Sequence, residues 1–292
     1  MRYFPYISLP ARVPRRMIRI LRRGDEEALE AFLAPRAETS MFLRANARAG
    51  GLDDRGAPLQ ATYAAAIGQE GIVAVAAHCW NGVLLVQAPE HLREVVRAAL
   101  TASGRSLRGI SGPADQVRGA RDALGVREAA IDDVDALFSL DLDALRVPAA
   151  LARLSLRRPR DDELAGLIAW REQYLVETGL SALGPSLHQD AKSGVELLQA
   201  KGDHWVLEDS GKAVAYTAFN ARLPDIVQVG GVWTPPPLRG RGYARSAVAG
   251  SLLEARSAGV ARAILFTSNA QAARAYQALG FARAGEYALL IV

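Results

Sequence analysis

The sequence predicts an α/β (α+β) protein built from two tandem copies of one fold, each a mixed, mostly antiparallel sheet flanked by helices. Three observations point there. Apolar residues alternate along some segments and recur every three to four residues along others, which marks strands interleaved with amphipathic helices. The order strand, two helices, three strands, helix, strand, helix, strand is written in the second half and again, in worn form, in the first. Ala-Leu-Gly recurs at 123–125 and 278–280, an offset of 155 positions.

In the second half, Leu151–Arg157 alternates and reads as a strand. Asp161 and Asp162 open a helix to about Glu177, with Leu164, Leu167, Ile168 and Leu175 on one side and Gly179 as its stop. A second helix spans about Leu187–Ala200. His204–Glu208, Ala213–Asn220 and Ile226–Thr234 read as antiparallel strands, joined by a tight hairpin turn at Asp209–Gly211 and a looser one at Ala221–Asp225. Arg241–Ala258 is a helix, Ala261–Thr267 a strand, Ala270–Leu279 a helix stopped by Gly280, and Tyr287–Val292 the last strand. The first half repeats this as strand Met17–Leu21, helices Asp25–Leu33 and Ser40–Ala49, and strands Ala61–Gly68, Gly71–Trp80 and Gly82–Gln87. Helix Glu90–Ala102, strand Ser106–Ile110, helix Ala114–Leu124 and a closing strand region in Val134–Leu145 complete it. The two copies are expected to be residues 1–147 and 148–292, joined through Val147, Pro148, Ala149 and Ala150.

With 292 residues, half of them hydrophobic and 23% charged, each half can bury a core. The net charge of +4 is almost all arginine, since lysine occurs only at 192, 201 and 212, and most arginines alternate with acids as on solvated helix faces. Arg2, Arg12, Arg15, Arg16, Arg19, Arg22 and Arg23 precede any acid. Prolines at 5, 10 and 14 and the lack of an apolar stripe make that segment a loose terminal strand rather than a nucleic-acid or membrane arm. The single cysteine, Cys79, cannot form an intramolecular disulfide, and histidines at 78, 91, 188 and 204 lack ligand spacing, so no metal is expected. No signal-like apolar region and no membrane-length apolar run occur, which suits a reducing cytoplasm; a homodimer is left open.

Chemistry concentrates in Val232-Trp-Thr-Pro-Pro-Pro-Leu-Arg-Gly-Arg-Gly-Tyr-Ala244, an apolar strand running through prolines and a glycine-rich turn into a helix. A helix N-terminus offers unpaired amide donors and the positive end of its dipole. Gly240 and Gly242 let a diphosphate approach the backbone, and Arg239 and Arg241 add charge-assisted contacts. The spacing is neither that of a P-loop nor that of a dinucleotide fingerprint.

Arg239-Gly-Arg-Gly242-Tyr-Ala244 resembles the pyrophosphate-binding signature of the GNAT superfamily, the acyl-CoA-dependent N-acetyltransferases. Asn269, Tyr276 and Leu279-Gly-Phe281 are similar to that family's second signature, in the expected order. The resemblance implies an acetyltransferase using acetyl-CoA as co-substrate, with no metal. The backbone of Val232, Trp233 and Thr234 would hold the pantetheine arm, and Leu238, Arg239, Gly240, Arg241, Gly242, Tyr243 and Ala244 the pyrophosphate. Asn269 and Ala272 would meet the arm, and Tyr276 would protonate the leaving thiolate. A splay between Ile226–Thr234 and Ala261–Thr267 would admit the thioester, with the backbone amide of Val232 or Trp233 as oxyanion donor. The first half has no such loop. Leu85-Val-Gln-Ala-Pro-Glu-His-Leu92 lacks glycine and arginine, so this copy looks like the degenerate N-terminal domain of two-domain GNAT proteins.

The strand before the loop carries Gln228 and no acid, so Gln228 can position a water or the amine; Glu172, Glu177 and Glu208 are candidates for a direct or water-relayed base, and a pre-deprotonated amine with no dedicated base is the alternative. Arg171 and Tyr174 could grip a carboxylate and Glu177 an ammonium, with Asn220 a further acceptor contact, which suits an amino acid or a similar small amine. A peptide or protein acceptor and a non-catalytic CoA-responsive module are the alternatives.

Overall fold

The computed structural model describes residues 17–180 and 187–292. Arg2, Arg12, Arg15 and Arg16 and residues 181–186 lie outside the described residues. The first half runs β1 (Met17–Ile20), α1 (Glu26–Leu33), α2 (Ala37–Gly50), β2 (Ala61–Ile67), β3 (Ile72–Cys79), β4 (Val83–Gln87), α3 (Leu92–Ser103), β5 (Gly109–Pro113), α4 (Ala114–Leu124) and β6 (Ile131–Asp141). The second runs β7 (Ser155–Arg157), α5 (Leu164–Glu177), α6 (Leu187–Lys201), β8 (His204–Asp209), β9 (Lys212–Arg222), β10 (Ile226–Trp233), α7 (Tyr243–Ser257), β11 (Arg262–Thr267), α8 (Ala270–Gln277) and β12 (Ala282–Ile291).

Local chemistry accounts for the boundaries. Ser210 (φ 51°) and Gly211 (φ 80°) both adopt the left-handed region, and such turns match the twist of a β8–β9 hairpin. Asn269 accepts from the amides of Gln271 and Ala272 and so caps α8. Three strand boundaries differ from the sequence expectation. Residues 149–153 wind into a 3₁₀ turn after Pro148, which leaves only Ser155–Arg157 to pair with β8. The strand expected at Ser106–Ile110 lies at Gly109–Pro113, and the last strand begins at Ala282 rather than Tyr287 because its outer residues pair with β6 while remaining exposed.

All twelve strands of the described residues form one sheet, in the order β1-β2-β3-β4-β5-β12-β6-β11-β10-β9-β8-β7. The closing strands are exchanged between the halves. β6, the last strand of the first half, runs antiparallel to β11 from Arg262↔Asp141 to Thr267↔Ala136; β12 runs antiparallel to β5 from Tyr287↔Pro113 to Ile291↔Gly109. The cores follow the exchange. Phe138, Leu140, Leu142 and Leu145 pack with Trp205, Phe219, Val248 and Leu252 of the second half, whereas Ala288 and Leu290 pack among Val95, Val96, Ile110 and Val117 of the first. A polar tie reinforces the seam. Arg44 of α2, 5% exposed, binds Glu30 at 2.5 Å and Asp225 of the β9–β10 turn at 2.9 Å.

Because each half contains a strand of the other, the chain should unfold as one cooperative unit. Trp80→Phe leaves tryptophan fluorescence reporting only on the second half, through Trp170, Trp205 and Trp233. Its urea midpoint should coincide with that of far-UV circular dichroism from both halves; two separated transitions would contradict the exchange.

Candidate active site

β10 and β11 are parallel and paired at Ile226↔Arg262, Val227↔Ala263 and Gln228↔Ile264; beyond these positions they diverge. The cause lies on the other side of β10. Against β9, Gly230 faces Ala218 and Trp233 faces Tyr216, so β10 spends one extra residue in a bulge. Gly231 takes φ 59° there, a conformation that favours glycine. The first half lacks this device. β3 and β4 pair without a shift; β4 and β5 are likewise paired at three positions, Val83↔Gly109 to Leu85↔Ser111, but stay close beyond them, since a Cβ on Gly112 would stand 2.7 Å from the Val86 carbonyl oxygen.

The loop leaving β10 turns through Pro236–Leu238 and reaches Gly240 (φ 78°) and Gly242 (φ 79°), the latter being the N-cap of α7. A Cβ on Gly240 would meet nothing within 4 Å, so its backbone faces open space. Gly242 provides no side-chain cap and the first turn of α7 holds no acid, which leaves the leading amides of Tyr243 and Ala244 available to an anion. Arg241 is exposed, and Tyr243 donates to Asp209 at 2.5 Å. Arg245, one turn into α7, has a buried Nε without a partner, and its Nη2 would lie 3.7 Å from a Cβ on Gly242. It is a phosphate-contact candidate that the sequence reading missed, although its spacing three residues after Gly242 carried the signal. Along the path toward the splay, Val232 packs on the core under α7, and Trp233 Nε1 and Thr234 Oγ1 are buried without partners. Asn269 and Ala272 sit at the mouth of α8, where the capping bonds occupy Asn269 Oδ1 and leave its amide nitrogen as donor. Open glycine backbone, a free helix start and orphaned buried donors together fit a phosphorylated, amide-bearing co-substrate.

Tyr276 of α8 is 9% exposed and packs on Phe281. Burial, and then the nearby Tyr174 hydroxyl, push its pKa up, so it is a protonated donor. Tyr174 reaches the gap from α5 on the opposite face, edge-on to Trp233 at 6.4 Å. Its pKa is raised by burial first, while Arg171 lowers it, Asp135 raises it and the Gly231 N–H, pointing at the hydroxyl, lowers it. Tyr174 therefore marks where a guanidinium, a carboxylate and a bulge amide converge. Gln228, buried at the crotch of the splay, donates to the Val229 carbonyl at 2.8 Å and has an unpartnered Oε1.

The acceptor side is a narrow pocket lined by Leu167, Trp170, Arg171, Tyr174, Tyr216, Gly231 and Trp233. Arg171 reaches it between α5 and α6 because Gly194 has no side chain; a Cβ there would stand 2.8 Å from Arg171 Nε. No ion pair or hydrogen bond holds this guanidinium among the described residues, and its Nε is buried. Tyr216 is fixed by a proton-ordered chain. Gln199 Nε2 donates to the Asp161 carboxylate at 3.1 Å, which turns its Oε1 toward His204 Nε2 at 2.7 Å. His204 must then donate from Nε2 and accept at Nδ1 from the Tyr216 hydroxyl, 3.0 Å away, so the Tyr216 oxygen offers only lone pairs to the pocket. Asn220 lies exposed at the rim, with its side chain across Gly230.

The glutamates expected to act as base are otherwise engaged. Glu177 pairs with Arg239 at 2.8 Å, Glu172 with His188 at 2.6 Å and Glu208 with Arg157 at 2.8 Å. Arg239 also donates to the Thr234 carbonyl at 2.9 Å and stacks on Trp233 at 4.7 Å, so it ties the loop to the end of α5. Asp135 of β6 is a carboxylate at the splay that the sequence reading did not name, because nothing in the sequence shows that β6 crosses to β11. Among the described residues there is no group of His, Cys, Asp and Glu placed to hold a metal, and no helix long and apolar enough to cross a membrane.

His204 is buried and its pKa is pushed down to about 4, chiefly by desolvation. An unfolded chain takes up this proton near its ordinary value of about 6.5, so stability should fall as pH drops from there toward 4, by up to about 3 kcal/mol. Urea unfolding at about pH 7 and about pH 4.5 checks this: the loss should be smaller in His204→Asn than in the wild type, and equal losses would contradict it.

Residues 164–281 match the model of the Acetyltransferase (GNAT) family. None of the curated proteins matches the chain. Among solved structures, a Drosophila protein aligns with TM-score 0.61 at 13% identity, covering 95% of this chain and 99% of its own. A GCN5-related N-acetyltransferase from Sphaerobacter thermophilus aligns with TM-score 0.58 at 17% identity, covering 97% and 96%. A tandem GNAT protein from the clavulanic acid biosynthesis pathway aligns with TM-score 0.57 at 14% identity, covering 95% and 98%. The tandem GNAT fold thus extends over both halves.

Proposed function

We propose that this GNAT-family acyl-CoA N-acyltransferase moves an acetyl group from acetyl-CoA to the primary amine of a small molecule that also carries a carboxylate, such as an amino acid. The observation that carries the acceptor class is Arg171, a guanidinium without an ion-pair partner among the described residues, in a narrow pocket walled by Trp170, Tyr174, Tyr216 and Trp233. A half-buried guanidinium without a counter-ion calls for an anionic ligand, and its planar fork suits a carboxylate. Tyr174 and Asn220 would complete the grip.

Acetyl-CoA would lie with its pyrophosphate on the backbone from Leu238 to Ala244, assisted by Arg239, Arg241 and Arg245. Its pantetheine arm would run along Val232–Thr234 and past Asn269 and Ala272, and its thioester would enter the splay. The amide freed by the β10 bulge would meet the developing oxyanion, and Gln228 Oε1 would accept from the amine or a bound water. Tyr276, held protonated by burial, would give its proton to the departing sulfur. Glu177 enters as a structural partner of Arg239 rather than as base. We read residues 1–147 as a degenerate copy that walls the acceptor side and residues 148–292 as the catalytic copy.

Purified protein incubated with acetyl-CoA and a panel of amino acids, polyamines, aminoglycosides and short peptides should release thiol fastest with amino acids. Tyr276→Phe should lower kcat about a hundredfold, and Gly242→Glu should abolish CoA binding. Arg171→Met should raise KM about tenfold or more for amino acids and leave it unchanged for their amides. Preference for polyamines or peptides, with KM untouched in Arg171→Met, would contradict the acceptor class.

A further inference from the structure

The acceptor amine is an ammonium near neutral pH, and attack needs its lone pair. Resting on the acceptor reading above, we propose that Asp135, on the strand the first half contributes to the catalytic sheet, binds the acceptor ammonium and takes its proton.

Register fixes its place. Ala136 pairs with Thr267 at the end of β11, so Asp135 stands one residue further on, beside Ser268 and directly where β10 and β11 have parted. Alternation along β6 sends Asp135 to the same face as Leu137, which packs with Met41, Ile264 and Tyr287 on the acceptor side of the sheet. Across the pair on β12 stands Tyr287. From α5, the Tyr174 hydroxyl is near enough to feel both the Asp135 carboxylate and the Arg171 guanidinium. A zwitterion bound beside Tyr174 would give its carboxylate to Arg171 and its ammonium to Asp135. No lysine, arginine or histidine pairs with Asp135 among the described residues, in contrast to Glu172, Glu177 and Glu208. Burial raises its pKa, the Ser268 hydroxyl lowers it, neighbouring Asp133 raises it and the Ser268 amide lowers it, for a net rise toward the range of a base.

The step balances. One ammonium proton passes to the Asp135 carboxylate. The nitrogen lone pair forms the C–N bond at the thioester carbon, and the C–S bond breaks as the adduct collapses. The sulfur takes the Tyr276 proton, and the second proton lost by nitrogen restores Tyr276. Asp135 returns its proton to solvent.

The test is the pH profile of kcat/KM in the full-length protein, using the amino acid of the panel that the wild type acetylates fastest. The wild type should plateau at pH values well below the amine pKa. Asp135→Asn should lose about a hundredfold near neutrality and climb tenfold per pH unit until the free amine predominates, where the gap closes. Asp135→Glu should recover part of the plateau, and Asp133→Asn should shift its acid limb downward. A loss in Asp135→Asn that is the same at every pH, or no loss, would overturn the assignment while leaving the acceptor reading intact. A wild type without amine-dependent thiol release would overturn both.

Discussion

The arrangement depends on the divergence of two parallel strands. Parallel neighbours ordinarily stay paired, because each unpaired backbone group inside a sheet forfeits a hydrogen bond. Here β10 and β11 are paired at three positions, and β10 takes up its extra residue at Gly230–Gly231 where that pairing ends. α7 and α8 serve one face with the phosphate loop and Tyr276; α5 and α6 serve the other with Arg171 and Tyr174. Tyr276 and Tyr174 come from opposite layers, and Tyr174 adds to the rise in the Tyr276 pKa.

The strand exchange gives this gap its second wall. Had the second half kept its own closing strand beside β11, the residues next to the splay would come from β12. Instead β6 stands there and brings Asp135, while α2 packs beneath it through Met41 and ties itself to the β9–β10 turn by Arg44. A strand of the first half is thus built into the sheet of the second.

Much of this was legible in the sequence. Period-two and helical patterns located the strands and helices to within a few residues, and the glycine-arginine loop announced an anion site because few other backbones can approach a diphosphate so closely. Motif order pointed to the strand end at Val232, Trp233 and Thr234, next to where β10 and β11 cease to pair. The strand pairing could not. β6 and β12 have the same pattern whichever neighbour they choose, so the sequence held no trace of the exchange, and Asp135 looked like one acid in the run Asp132-Asp133-Val-Asp135. Glu177 lay on the right helix, but its side chain meets Arg239, a contact between residues 62 positions apart that no local pattern encodes. Arg245 stands inside a helix, where only its spacing three residues after Gly242 pointed to the loop.

The central claim is that one half of this chain binds an acyl-CoA and the other does not. Isothermal titration of the full chain with acetyl-CoA tests it most directly. The account predicts a single class of site at one ligand per chain. Two ligands per chain would mean that the closed β4–β5 pair still admits the co-substrate, and no binding heat at any concentration would contradict the assignment of the loop and the splay.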